Sequence, residues 1–345
     1  MTGEFFLQSL DAVLKQHSPA IWVTKLLIII NVAVFIAMLV GGAGIWHSPN
    51  GIQLNWGANF GPATQDGEWW RLATAMFLHF GIVHLLLNSW ALWDAGQLVE
   101  RMYGQTRFFI IYLVSGLAGN LVSLVFQGNS AVSGGASGAI FGLFGALLTF
   151  LWRERTHITA HEFRWLFWGA LSFAIATIIM GFIVPGIDNA AHIGGFIAGG
   201  LISIVVAQSI TAPVWPIKIT AAAAFIFVAT IVTLIVNIPQ PKYRWSDEIL
   251  LRKQISEFLY QDQTINRALL NVMHAGEPGD KTFDDLASQI ELSITQPYEQ
   301  SFEQLSQLPN NPSLPSSSQL NEILDYIRLR SAESKAIAEK LRRKK

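Results

Sequence analysis

Ser137 lies in the run Gly134-Gly135-Ala136-Ser137-Gly138-Ala139-Ile140-Phe141-Gly142, where a polar, glycine-rich loop becomes an apolar helix. A hydroxyl at that point is a candidate nucleophile. The free N–H groups and the dipole of a helix start favour the negative charge that builds up during acyl transfer. Such a hydroxyl needs a base, and His192 is the candidate. It follows Asp188, the start of its own apolar segment, by four residues, which places it about 6 Å along a helix. His84 and Asn88 stand at i and i+4 and so share one helix face. Both can donate hydrogen bonds to an oxyanion. His79 falls off that face and is assigned to supporting the loop or a water. Each residue also has a plainer reading: a serine can cap a helix, and a histidine or asparagine can tie helices together.

These groups need elements that bring them to one depth. The run from Ser137 to Trp152 carries no charge and ends at Arg153. It is roughly 24 Å long as a helix, against a hydrocarbon core of about 30 Å. Its start therefore lies about 6 Å below a membrane surface, the same depth as His192. The backbone before it, Gln127 to Ala136, must dip into the membrane, which is tolerated only under a cover of protein or water. Gly138 and Gly142 form one small-residue face, and Gly195 and Gly199 form another. Two such faces let helix backbones approach closely enough for a direct Ser137–His192 contact.

The composition fits that setting. The 345 residues are 51% hydrophobic and 14% charged, against about 25% charged in soluble domains. A net charge of −1 argues against a nucleic-acid partner. The absence of cysteine excludes thiolate nucleophiles and zinc–thiolate sites. Residues 1–241 hold nine basic and nine acidic residues, and residues 242–345 hold fourteen and fifteen. The expectation is an all-α membrane protein followed by a small, helical, soluble domain. Residues 1–20 read as an N-terminal cytoplasmic segment. Spans are expected near 21–40, 80–98, 108–126, 137–152, 164–184, 189–208 and 217–238. Loop charge supports a cytoplasmic N-terminus: Lys15, Arg101, Arg107, Arg153, Arg155, Arg164 and Lys218 fall inside, and only Arg71 falls outside. An odd number of spans then puts residues 242–345 outside the cytoplasm. Between the first two spans, 43–78 reads as a long loop whose Trp46, Trp56, Phe60, Trp69 and Trp70 suit the headgroup level. In the tail, Ser246 and Thr282 are expected to cap helices, 309–318 is expected to be a linker, and a charged helix is expected from Leu320 to Lys345. A protein partner for this domain is left open.

Four motifs, taken together, resemble a known family. Gly135-Ala136-Ser137-Gly138 resembles the Gly-x-Ser-Gly motif of rhomboid intramembrane serine proteases. Ala191-His192-x-x-Gly195-x-x-x-Gly199 resembles their base-bearing helix, and His79-x-x-x-x-His84-x-x-x-Asn88 resembles their second span. Trp70-Arg71 resembles the pair in their first outer loop, and Glu100 sits where the family often has a glutamate. The resemblance implies a six-helix core over 21–210 with a seventh transmembrane helix added at 217–238. It implies Ser137 as nucleophile, His192 as general base and acid, and no acidic third member. His84, Asn88 and the Ser137 N–H would hold the oxyanion, in a setting shaped by Gly135 and Gly138. Phe141 falls where the family places an aromatic ring against the base. Neither a metal nor a cofactor is implied. The partners would be transmembrane protein substrates within a lipid bilayer, and the location a bacterial inner membrane. Water would enter by a polar cavity that Gln127, Asn129, Ser130, Ser133 and Asn189 could line. Substrate would enter laterally between the second and fifth spans, with Phe167 and Trp168 as gate and Gly181–Ile187 as lid.

The competing chemistries fit less well. A zinc protease needs His-Glu-x-x-His, and His161-Glu162-Phe163-Arg164-Trp165 lacks the second histidine. An aspartyl protease needs two intramembrane aspartates, and Asp94 is the only clear one. Asp94 itself is read as structural, paired with a polar group or an inner-loop arginine. A transporter would show related halves, and none is visible. A non-catalytic rhomboid-like protein that binds transmembrane clients remains the alternative, although such proteins typically lack the serine or the histidine.

Overall fold

A computed structural model describes residues 9–210, 212–275 and 282–344. The chain divides into two compact units, Met1–Pro241 and Lys242–Lys345. Among the described residues every regular element is helical, and the only β pairing is an isolated bridge between Asn59 and Ser133.

The first unit opens with α1 (Leu10–His17) and α2 (Val23–Val40). α2 starts where Glu100 accepts the backbone N–H groups of Trp22, Val23 and Thr24, all at 2.8–2.9 Å. A buried carboxylate thus satisfies the orphan donors of a helix start. The residues between 43 and 78 are only partly loop. They form α3 (Asn50–Asn55), α4 (Gly61–Gln65), α5 (Arg71–Thr74) and a short 3₁₀ turn (Ala75–Phe77). Pro49 and Pro62 start α3 and α4, and Gly57 and Gly67, both at positive φ, follow their ends and keep them short.

The remaining helices of this unit are α6 (Ile82–Tyr103), α7 (Gln105–Gln127), α8 (Ser137–Glu154), α9 (Ala160–Ile183), α10 (Asn189–Val205) and α11 (Ile217–Val236). By length and composition α2, α7, α9 and α11 can each cross a membrane alone. The segment Arg71–Phe77 joins α6 through a 92° bend, and together they also qualify. α10 is shorter, at 17 residues, and α8 matches α2 at 18 but is far more enclosed. Almost every residue of α8 from Gly138 to Leu151 is buried, whereas α9 buries only Ala170 and Ala174. α8 is therefore the axis of the bundle.

α10 packs on α8 through glycine. A Cβ on Gly195 would strike the carbonyl oxygen of Gly138, and one on Gly199 would strike that of Gly142. A Cβ on Gly145 would likewise meet the carbonyl of Phe196. With no side chains between them the two backbones lie in contact.

The second unit contains α12 (Trp245–Ala275), α13 (Phe283–Ile290), α14 (Gln296–Ser306) and α15 (Ser317–Arg342). They enclose their own core, with Leu251, Ile255, Phe258, Ile294, Tyr298 and Ile327 at its centre. Thr282 and Asp285 form a reciprocal capping box at the start of α13. α13 runs through a π-helical turn, Glu291–Thr295, into α14. Two expectations need correction. Ser246 is the second residue of α12, not its cap, because the helix begins at Trp245. The stretch 309–318 is not a free linker. α15 begins at Ser317, and the Ser316 N–H and hydroxyl both bond Glu248 while Leu314 is buried.

Candidate active site

Ser137 is the first residue of α8, and no side chain caps that helix. Its first-turn N–H groups are consequently not spent on a side-chain cap. The Ser137 Oγ lies 2.8 Å from His192 Nε2. Phe141, one turn further along α8, stacks on the His192 ring with centroids 4.3 Å apart and planes inclined by 6°. His192 Nδ1 has no hydrogen-bond partner among the described residues. The imidazole is therefore oriented by the aromatic face and the Oγ contact, without a carboxylate on its far nitrogen.

Gly135 adopts φ +140°, a conformation that side-chain-bearing residues rarely take. A Cβ here would lie 2.9 Å from His84 Cε1 and 3.0 Å from Nε2. Glycine thus lets the His84 ring approach the loop just before Ser137. His84 Nδ1 faces the Phe80 N–H at 3.4 Å, which leaves Nε2 as the nitrogen that carries the proton towards the loop. Asn88 donates one amide hydrogen to the carbonyl of His84 at 3.0 Å and retains a second. The buried His79 ring lies edge-on to His84 at 5.1 Å, and the His79 carbonyl accepts from Gln53 Nε2.

The loop before α8 is covered by the irregular segment between α2 and α6. Asn59 and Ser133 exchange two backbone hydrogen bonds at 2.9 Å. Gly61 N–H bonds Gly128 O, and Gly135 N–H bonds Ala75 O. These contacts give the loop backbone partners within the protein. Arg71 holds the covering segment together, donating to the carbonyls of Leu54 and Ala58 and pairing with Glu68.

Asp188 does more than start a helix. One carboxylate oxygen accepts from the Ser123 and Ser133 hydroxyls, both at 2.5 Å, and the other from the Ala191 N–H at 3.0 Å and Gln127 Nε2 at 3.2 Å. It ties α7, the loop before α8 and the start of α10 to one point. Gln127 and Ser133, expected to line a cavity, fasten this joint. Asn189 is likewise engaged, bonding the carbonyl of Ile178 and filling the space beside Gly181. The Asp-x-x-Ala spacing shows the cap in the sequence; the two serines, 65 and 55 residues away, could not be found there.

Asp94 also departs from expectation. It is exposed on α6 and, among the described residues, has neither a hydrogen bond nor an ion pair. Of the expected gate residues, Phe167 packs against Phe163 and Trp168, and Trp168 is exposed. The ring contact between α6 and α9 is made by other residues, Trp90 and Phe173, at 5.8 Å. Phe173 stacks on Phe144 at 4.9 Å, and Phe144 meets Phe141 at 6.4 Å. Aromatic rings thus run without a break from the α6/α9 seam to His192.

Comparison with known proteins points to one family. The Rhomboid domain profile matches residues 66–209. The rhomboid protease GluP of Bacillus subtilis is 39% identical over 193 residues, covering 54% of this chain and 35% of GluP. The rhomboid-family protein YdcA of the same organism is 40% identical over 152 residues, covering 44% of this chain and 73% of YdcA. The rhomboid protease AarA of Providencia stuartii is 29% identical over 263 residues, covering 70% of this chain and 90% of AarA. The match to GluP spans only about a third of that protein. With a serine–histidine pair between α8 and α10, and YdcA matched over most of its length, this multi-pass membrane protein belongs to the rhomboid family.

Proposed function

We propose that the chain is a serine endopeptidase that cleaves transmembrane helices within the bilayer, near the outer face. The observation that carries this is the 2.8 Å contact between Ser137 Oγ and His192 Nε2 at an uncapped helix start. In attack, Nε2 takes the serine proton as Oγ bonds the scissile carbonyl carbon. The carbonyl oxygen becomes an oxyanion beside the Ser137 N–H, with His84 Nε2 and the second amide hydrogen of Asn88 as further donors. The tetrahedral species collapses by expelling the amine, which His192 protonates, and an acyl-enzyme is left. Water activated by the same imidazole then releases the acid and restores the hydroxyl. The stack on Phe141 does the work of the missing third residue, because it fixes the plane of the ring.

In this reading α2, α6, α7, α8, α9 and α10 form the six-helix core in the membrane, and α11 is the seventh span. The N-terminus is cytoplasmic and residues 242–345 form a soluble domain outside, in a bacterial inner membrane. The charge asymmetry of the loops supports that orientation. Substrate enters between α6 and α9, where the Trp90–Phe173 pair closes the seam. The second unit, which has a core of its own, is assigned to holding a protein partner. A non-catalytic client-binding role is disfavoured because both members of the pair are present and in contact.

The test is labelling with a serine-reactive fluorophosphonate in detergent micelles. Native protein should label, whereas Ser137→Ala and His192→Ala should not, with all three equally folded. Absence of labelling in folded native protein, or labelling retained by Ser137→Ala, would refute the proposal.

A further inference from the structure

Asp94 is a carboxylate midway along α6, on a face whose other exposed residues are all apolar, and neither the bundle nor the mechanism uses it. It is the thirteenth residue of α6, ten residues and so about 15 Å inward of His84. It lies on the exposed face of that helix, in line with Leu86, Leu87, Trp90 and Trp93, all of them exposed. A charged group in hydrocarbon is costly, and such groups otherwise turn to the bundle interior or to a partner. Asp94 does neither within this chain.

The face on which it sits is the one that leads to the dyad. Trp90, one turn outward of Asp94, makes the ring contact with Phe173 of α9, and the rings of Phe144 and Phe141 continue from there to His192. A helix lying along the α6 side of this seam, with one peptide bond at Ser137, would pass Asp94 with its residue about ten positions further inward. Two groups in hydrocarbon meet most favourably as opposite charges.

We propose that Asp94 is a specificity-determining residue: it selects transmembrane substrates that carry a lysine or arginine about ten residues inward of the cleaved bond. The selection is exerted as the substrate docks in the seam, with the cation against the carboxylate. It rests on the protease reading above and adds to it a substrate class. Asp94 does not touch the reacting atoms, and its removal leaves the dyad intact.

The experiment uses full-length protein in liposomes and single-span test peptides. Each peptide has alanine at the level of Ser137 and either lysine, leucine or glutamate ten residues inward. Native protein should cleave the lysine peptide with a kcat/KM about three- to twentyfold above the leucine peptide, the range that single polar contacts give inside membranes. Asp94→Asn should remove that preference while leaving cleavage of the leucine peptide unchanged, and Asp94→Lys should transfer the preference to the glutamate peptide. A structural role for Asp94 would lower all three peptides together and would show no such transfer. Equal lysine-to-leucine ratios in the native, Asp94→Asn and Asp94→Lys proteins would overturn the proposal. So would an Asp94-dependent dimer with unchanged peptide ratios, since the carboxylate would then serve a second copy of the chain. Fluorophosphonate labelling of the same samples separates the two levels: flat ratios with labelling intact reject the role of Asp94 alone, and loss of labelling in native protein rejects the protease reading on which it rests.

Discussion

Replacing Asp188 tests whether the site is held by a charge or merely by a helix cap. Asp188→Ala removes the cap from α10, worth about 1 kcal/mol. It also removes two hydroxyl bonds to a charged group at 2.5 Å, from Ser123 and Ser133. Asp188 is half-buried, so each bond is taken at the low end of its range, about 1.5 kcal/mol. The Gln127 contact at 3.2 Å is neglected. The total is about 4 kcal/mol, which corresponds to a fall in Tm of about 8–16 °C for a unit of this size. Asp188→Asn separates the contributions. Asparagine caps as well as aspartate, and its amide can still meet both serines, so only the charge assistance is lost. That assistance is about half the strength of each bond, so the loss is about 1.5 kcal/mol and the fall about 3–6 °C. The assay is thermal unfolding followed by tryptophan fluorescence in micelles, with the fluorophosphonate labelling rate measured alongside. Labelling should slow in the same order, because Asp188 starts the helix that carries His192. The reasoning fails if Asp188→Asn falls as far as Asp188→Ala, or if Asp188→Ala moves the midpoint by less than about 2 °C.

Three further outcomes are expected. Phe141→Ala removes the ring stacked on His192, a contact worth about 0.5–1.5 kcal/mol beyond its area, and should slow labelling about two- to tenfold; an unchanged rate would show that the ring does not orient the base. Gly195→Ala places a methyl group against the Gly138 carbonyl and should cost about 1–3 kcal/mol while abolishing labelling, since α8 and α10 must separate; native labelling would show that the dyad tolerates that separation. In the second unit, burial, with its bond to Asp262, raises the Tyr298 phenol above its ordinary pKa. The native state therefore keeps a proton that the unfolded chain releases near pH 10, and stability falls as pH rises beyond about 10. Tyr298→Phe should flatten that decline in the denaturant midpoint of the domain, and an equal decline in both proteins would reject it.

Local chemistry, close together along the chain, was legible in the sequence. The uncharged run after Ser137 marked the helix, because length and hydropathy are properties of a segment alone. The i and i+4 spacing put His84 and Asn88 on one face, and the glycines at 138, 142, 195 and 199 marked two backbones free to touch. What was not legible depended on segments far apart. Asp188 looks like a simple helix cap until folding brings Ser123 and Ser133 onto its second oxygen. The residues 43–78 read as loop because their short helices are stabilised by Arg71 and by the backbone bonds to 128–135, not by any periodic pattern of their own. Asp94 was assigned a partner because a buried charge requires one. Only the tertiary packing decides which side of α6 is buried, and it leaves that carboxylate facing outward. Types and spacings thus set which groups could react; the close approach of α8 and α10, governed by glycine contacts across 57 residues of chain, decided which of them meet.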